Sequence, residues 1–233
     1  MKLALIGYGA MGKLVEKLAT SAGDEIGLRV TSRDKSPDAG QLAVSLPGHD
    51  AAIDFSVGSV VLRNIEACAR AGVPLVEGTT GWHDNEAEAR RLIEDHKGAL
   101  VYGANFSIGV NVFYRIVLQA ARLMAGLDQY QAFLEEEHHA RKRDAPSGTA
   151  LKLKALMSEY IRTEIPIASI RAGHIPGTHR VGFDSSADQI TLTHTARSRE
   201  GFAAGALLAA RWIVGRKGVY EFSEVMNEVM SDE

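Results

Sequence analysis

The sequence predicts an α/β protein: a parallel-sheet unit in its first half and an α+β unit with an open mixed sheet in its second. Three observations predict it. Short apolar runs alternate with amphipathic stretches over the first half. Further on, strand-like stretches succeed one another with only turn residues between them. The chain has 233 residues, 45% hydrophobic and 24% charged, which is ordinary globular composition and enough chain to bury a core.

Each element follows from its pattern. Leu3 to Ile6 is a continuous apolar run, the mark of a strand covered on both faces. Lys13 to Thr20 carries Leu14, Val15 and Leu18 on one helical face. Glu25 to Thr31 and Ala51 to Phe55 read as the second and third strands, and Val60 to Arg70 as a helix closed by Gly72. Val73 to Val76 is a strand, Glu86 to His96 a polar-faced helix and Ala99 to Tyr102 another strand. Strands alternating with helices imply right-handed crossovers and a parallel sheet. After this point the pattern changes. Val110 to Met124 is a long helix, Tyr130 to His139 a strand and Ala150 to Ile161 a helix. Ile165 to Arg171, Thr178 to Phe183 and Gln189 to His194 are strand-like. Phe202 to Val214 forms a final helix, and Tyr220-Glu221-Phe222 is placed to return to the first unit. The expected division is 1–109 with 211–233, and 110–210.

Composition removes several functions. A net charge of -3 argues against a nucleic-acid-coating surface. The single cysteine, Cys68, forms no internal disulfide and builds no cysteine-based metal knuckle. No apolar stretch is long enough for a membrane span, so a cytoplasmic protein without membrane partners is expected. Glycine alone is in excess, at 23 residues where roughly 7% is usual.

The first concentration of glycine is Gly7-Tyr8-Gly9-Ala10-Met11-Gly12, a G-x-G-x-x-G match between a strand and a helix. Gly7 permits the turn, Gly9 lets backbone approach a pyrophosphate, and Gly12 lets the helix pack closely. The helix N-terminus faces the phosphate charge. In this strand–turn–helix setting the motif points to a Rossmann-type dinucleotide-binding domain. At the end of strand two stands Thr31-Ser32-Arg33-Asp34. Ser32 and Arg33 suit a 2'-phosphate and favour NADPH, whereas Asp34 is a competing reader of NADH. Two loops after later strands, Gly78-Thr79-Thr80 and Ala104-Asn105-Phe106, sit at the sheet's carboxyl end and are placed to touch the nicotinamide side.

The least ordinary stretch is His138-His139-Ala140-Arg141-Lys142-Arg143-Asp144-Ala145-Pro146-Ser147-Gly148-Thr149-Ala150. Ser147 is a candidate N-cap, and the helix start of Ser147, Gly148 and Thr149 is expected to bind a substrate carboxylate. Lys142 adds positive charge, and His138 or His139 a proton that titrates near neutrality. The set suits a small anionic substrate that is reduced and protonated. A metal site is disfavoured because adjacent histidines on a strand point to opposite faces. A serine nucleophile lacks the strand–elbow context, and a solvated basic loop remains the plain alternative. His179 and His194 either line the site or merely satisfy the sheet.

This segment resembles the signature of the dihydrodipicolinate reductase (4-hydroxy-tetrahydrodipicolinate reductase) family of lysine biosynthesis. The likeness extends through Asp54-Phe55-Ser56, Gly78-Thr79-Thr80-Gly81, Asn105 to Asn111, Arg171-Ala172-Gly173, Gly177-Thr178-His179 and His194 to Arg199. The resemblance implies NAD(P)H-dependent reduction of a small dicarboxylate with loss of water, in a homotetramer built on the second-domain sheets. It also implies that His138 donates the proton and Lys142 assists protonation and binds substrate. His139 would contact substrate, while Gly148 and Thr149 would hold one of its carboxylates. The sequence departs from many relatives in a shorter glycine turn and in Ser32, which stands where they carry an acidic residue. Two other functions compete: an NAD(P)-binding regulatory protein without turnover, and a different oxidoreductase acting on a small dicarboxylate.

Overall fold

A computed structural model describes residues 1–31 and 38–231. The chain divides into two compact units, Met1–Ile108 with Arg199 onward, and Gly109–Ser198.

In the first unit six parallel strands lie in the order β10-β5-β4-β3-β1-β2. They are β1 (Lys2–Ile6), β2 (Glu25–Val30), β3 (Ala51–Asp54), β4 (Leu75–Glu77), β5 (Ala99–Tyr102) and β10 (Gly218–Glu221). The sheet is doubly wound. Residues alternate across it, so Ala4, Ala52, Leu75 and Leu100 form one register row, and Leu5, Ile53, Val76 and Val101 the next. The first row joins the core beneath α2 (Ala39–Ser45), α3 (Val61–Ala71) and α4 (Glu86–Asp95). The second row faces α1 (Ala10–Ser21) and α7 (Glu200–Ile213). Burying each such aliphatic side chain is worth about 1.5–3 kcal/mol.

The structure revises the expected boundaries. Helix α1 starts at Ala10, not Lys13, which puts Gly12 inside the helix. Helix α2 was not anticipated; it is only seven residues long and is announced by an Asp38–Gln41 capping box. The largest correction concerns the return to the first unit, expected at 211 and found at Arg199. Its cause is the small-residue face of α7. Ala203, Gly205, Ala206, Ala209 and Ala210 are buried, so the helix lies close against β3, β4 and β5. A Cβ at Gly205 would collide with the Phe106 carbonyl. After β10 the chain ends in α8 (Phe222–Val229), whose Phe222 ring packs 4.6 Å from that of Phe106.

The second unit holds α5 (Ile108–Met124, of which Ile108 belongs to the first unit), β6 (Gln131–His138), α6 (Gly148–Ser158), β7 (Ile167–Arg171), β8 (Thr178–Asp184) and β9 (Gln189–Thr195). Its sheet runs β7-β6-β8-β9, with β6 parallel to β7 and antiparallel to β8, hence mixed. The core lies between one sheet face and the helices: Ala132, Leu134, Val181 and Phe183 pack with Phe113, Val117, Leu153 and Met157. No helix among the described residues is long and apolar enough to cross a membrane.

Candidate active site

In the first unit the glycine turn joins β1 to α1. Gly7 adopts φ +81°, and a Cβ there would strike the backbone of Phe55 and Ser56. Gly12 packs on the Gly7 carbonyl, which an added Cβ would approach to 2.6 Å. Gly9 differs from both. A Cβ there would meet nothing within 4 Å, so its smallness answers to no protein neighbour. It N-caps α1 without a side-chain cap, so the helix's first-turn donors face the open side of the turn. Such a cradle fits a dinucleotide pyrophosphate.

Two cavities adjoin this turn. One, about 390 Å³, is lined by Met11, Phe55, Ser56, Gly58, Thr79 and Thr80. The other, about 200 Å³, is lined by Met11, Gly78, Ala104, Phe106, Arg199 and Phe202. The structure thus gathers the glycine turn, the 78–80 loop and the 104–106 loop at one sheet end. Ser32 and Arg33, with Asp34, lie outside the described residues. Several expected contact residues are already committed to the protein itself. The Thr79 hydroxyl accepts from Ser56 N at 3.0 Å, and the Asn105 side chain accepts from Ser107 N at 2.8 Å. Phe106 is 2% exposed and belongs to the core. Arg199 and Phe202 are groove residues that the motif search missed; only their return to the first unit places them there.

In the second unit the 138–150 segment connects β6 to α6. Strand alternation puts Ala132, Leu134, Glu136 and His138 on the buried face of β6. Glu136 therefore sits two residues from His138 and beside it, and its Oε2 meets His138 Nδ1. Its other oxygen, Oε1, accepts from Arg171 Nη2 at 2.6 Å and from Ser147 N at 3.3 Å. Register explains the meeting: Arg171 on β7 is opposite His138, and His179 on β8 is opposite Glu136. Arg171 also donates to the Asp144 carbonyl at 2.6 Å and so ties the loop to the sheet.

Ser147 is the N-cap of α6, as expected. Its hydroxyl accepts from Ala150 N at 3.2 Å and is hydrogen-bonded to His179 Nε2 at 3.2 Å. That hydroxyl is committed to the fold, so any ligand contact at this helix start falls to Gly148 and Thr149. Lys142 pairs with Asp144 at 2.8 Å. His139 lies just beyond β6, half-buried, and its Nδ1 is buried without a hydrogen-bond partner among the described residues. The His138 and His179 rings meet edge to face at 5.1 Å. His194, opposite His179 in register, packs 5.8 Å from Phe113.

Burial and hydrogen bonds together set the charge states. Burial lowers His138 below the usual imidazole range, against the opposing pull of Glu136. It takes His179 down to about 4. For Glu136 burial alone would raise the pKa, but hydrogen bonds from Arg171, Ser169 and His138 outweigh it and hold the carboxyl at about 2. Glu136 is therefore an anion. The proton between it and His138 rests on Nδ1, leaving Nε2 as the atom of His138 free to exchange a proton. Glu136, Asp144 and Arg171 were not foreseen as site residues. A period-2 reading of β6 back from His138 finds Glu136; Arg171 needs the strand register.

The arrangement is an oriented imidazole, a lysine and a helix start in one unit, and a glycine turn at a helix N-terminus in the other. Comparison with known proteins agrees with it. The profile described as "Dihydrodipicolinate reductase, N-terminus" matches residues 1–106, and "Dihydrodipicolinate reductase, C-terminus" matches 109–226. A 4-hydroxy-tetrahydrodipicolinate reductase of Christiangramia forsetii is 37% identical, with 100% of both chains covered. Another, of Archaeoglobus fulgidus, is 36% identical over 97% of this chain and all of its own. Among solved structures, a dipicolinate-bound dihydrodipicolinate reductase of Paenisporosarcina sp. TG-14 shares the fold. Its TM-score is 0.75 at 21% identity, covering 95% of this chain and 97% of its own. Two family halves matched end to end, on a fold that assembles their signature residues, leave one assignment: the chain belongs to the dihydrodipicolinate reductase family.

Proposed function

We propose that this protein reduces 4-hydroxy-tetrahydrodipicolinate to tetrahydrodipicolinate with NAD(P)H, releasing water, in the diaminopimelate route to lysine. The observation that carries the reading is the His138–Glu136–Arg171 network beside the α6 helix start. The balance is one hydride and one proton added to the substrate and one water lost.

The residues placed to hold the dinucleotide are Gly7 to Gly12, Gly78, Thr79, Thr80 and the loop 104–106. Bound reduced nicotinamide supplies the hydride. The substrate's carboxylates pair with Lys142 and with the first-turn N–H groups of Gly148 and Thr149, where a helix terminus favours negative charge. His139 contacts the substrate. His138 delivers the proton from Nε2. Glu136 keeps its proton on Nδ1, and a bound dianion raises the proton affinity of an imidazole that burial has lowered. Lys142 stabilises the anion that develops before protonation.

NADPH is the favoured cofactor, on the strength of Ser32 and Arg33. The proposed assembly is a homotetramer built on the second sheet, whose open face carries Ile170 at 48% exposure. The proposed location is cytoplasmic. The test is nicotinamide absorbance in a coupled assay. NADPH should be consumed only when the upstream synthase's product is supplied. Binding without consumption would mark a regulatory protein, and consumption with another dicarboxylate would mark a different oxidoreductase.

A further inference from the structure

At the carboxyl ends of β3 and β4, Asp54 and Glu77 stand side by side in register, and both are 0% exposed. Nothing in the chemistry above uses them. No lysine or arginine forms an ion pair with either among the described residues, so two buried carboxyls face each other without a cation. The Asp54 carboxylate accepts from Ser56 N at 2.7 Å and from Asn64 Nδ2 at 2.6 Å. Glu77 Oε1 accepts from Thr79 N at 2.7 Å, while Oε2 is buried with no conventional donor at hand. Two adjacent buried carboxylates repel each other unless one holds a proton. The donor set says which. Asp54 already receives two N–H donors, whereas Glu77 has one oxygen left over with Asp54 as its neighbour.

We propose that Glu77 is a positioning residue for the dinucleotide: its protonated Oε2 donates to the Asp54 carboxylate, and the pair clamps segments 55–56 and 78–80 around the groove. The clamp reaches those segments directly. Asp54 fixes Ser56 N and Glu77 fixes Thr79 N, and Ser56 N also reaches the Thr79 hydroxyl. Both segments line the cavity of about 390 Å³ beside the glycine turn. The positioning role rests on the reading of that groove as the dinucleotide site.

The surroundings leave the proton where the geometry puts it. Burial first, then the neighbouring Asp54 charge, pushes Glu77 well above the usual carboxyl range. Asp54 is also raised by burial, but hydrogen bonds from Ser56, Asn64 and Glu77 oppose the rise. Helix α3 presents Cys68, whose thiol burial and both carboxyls push up, so it stays neutral. It also presents Asn64, whose carbonyl is occupied by Arg63. On β5 the Glu77 neighbour is Tyr102, whose hydroxyl is engaged by Glu86 and Arg90. On β1 the register partner of Asp54 is the apolar Ile6.

Glu77→Gln supplies an amide donor to Asp54 and a carbonyl acceptor to Thr79 N without a proton to lose. A Glu77 pKa raised in the folded state makes its contribution complete below the ordinary 4.5 and progressively lost as pH rises. The melting temperature of E77Q minus that of the unmodified protein should therefore grow between about pH 5 and about pH 8. In NADPH titrations, Asp54→Asn, which loses an acceptor, should weaken binding at least about tenfold more than E77Q. A melting difference that is the same at both pH values would overturn the shared proton. Unmodified protein that binds NADPH while both variants weaken it equally would overturn the clamp alone. Unmodified protein that binds no NADPH would remove the groove reading and the positioning role together.

Discussion

Two glutamates in this protein are both hidden from solvent and end in opposite states. Glu77 in the first unit and Glu136 in the second are 0% and 1% exposed, Glu77 at the end of β4 and Glu136 two residues before the end of β6. Glu77 faces another carboxyl and lies far above its ordinary pKa. Glu136 faces the Arg171 guanidinium and an imidazole and titrates at about 2. Desolvation opposes ionisation at both sites; Glu77 is the more deeply enclosed, and at Glu136 the hydrogen-bond donors outweigh burial. Glu136 also has a cation across the sheet, and Glu77 has none among the described residues. In the proposed chemistry the charged glutamate orients His138, and in the proposed clamp the neutral one joins two loops.

The largest effect expected from breaking this contrast is catalytic. His138→Ala removes the group that Glu136 orients and should lower kcat by about 10²–10⁴-fold. NADPH binding should stay intact, because the glycine turn belongs to the other unit. Steady-state rates with a parallel binding titration check both halves, and unchanged turnover would end the assignment.

Arg171→Ala attacks the cation itself. It leaves Glu136 buried as an uncompensated anion, which should cost about 3–5 kcal/mol of stability in denaturant melts. Adding Glu136→Gln in the same protein removes the stranded charge and should recover much of that loss. A double variant as unstable as Arg171→Ala would mean that the guanidinium acts through its tie to the Asp144 carbonyl instead.

Acid should expose the contrast through pH. His179 falls from 6.5 to about 4, so its neutral burial stabilises the fold fully above 6.5 and is lost as pH drops through 4. A shift of this size is worth about 3 kcal/mol. Glu136 adds a second loss lower down, between the ordinary 4.5 and about 2. Glu77 runs the other way and favours low pH. The second unit should therefore give way first on acidification, and His179→Gln should flatten the step between 6.5 and 4 in melting curves taken across that range. A step that persists in the variant would assign it to another group.

How much of this was legible in the sequence depended on range. The parallel strands of the first unit are apolar runs, and the glycine turn is a local pattern, so both could be read directly. The N-cap at Ser147 was visible because the helix start lies within three residues of it. The partners of His138 were harder. Glu136 is local on a strand, two positions away, but looks like one of three consecutive glutamates until the strand's buried face is known. Arg171 and His179 arrive through register from β7 and β8, and no spacing along the chain encodes that. The return of α7 to the first unit was misplaced for a related reason. A helix rich in alanine and glycine shows how closely it can pack, and not what it packs against.

The smallest predicted effect separates fold from binding at the α6 start. Ser147→Ala removes a cap accepted from Ala150 N and should cost about 1 kcal/mol. It also strips His179 Nε2 of its hydrogen-bond partner. Ser147→Asp keeps a capping oxygen and so keeps most of that stability, yet it adds negative charge beside the Gly148 and Thr149 N–H groups. If those groups hold a substrate carboxylate, KM should rise by about tenfold or more in the aspartate variant. Urea midpoints should be higher in the aspartate variant than in the alanine one, and KM should be higher too, so the more stable variant is the weaker binder. Equal KM values in the two would place the carboxylate away from this helix start, and leave Lys142 and His139 to bind it.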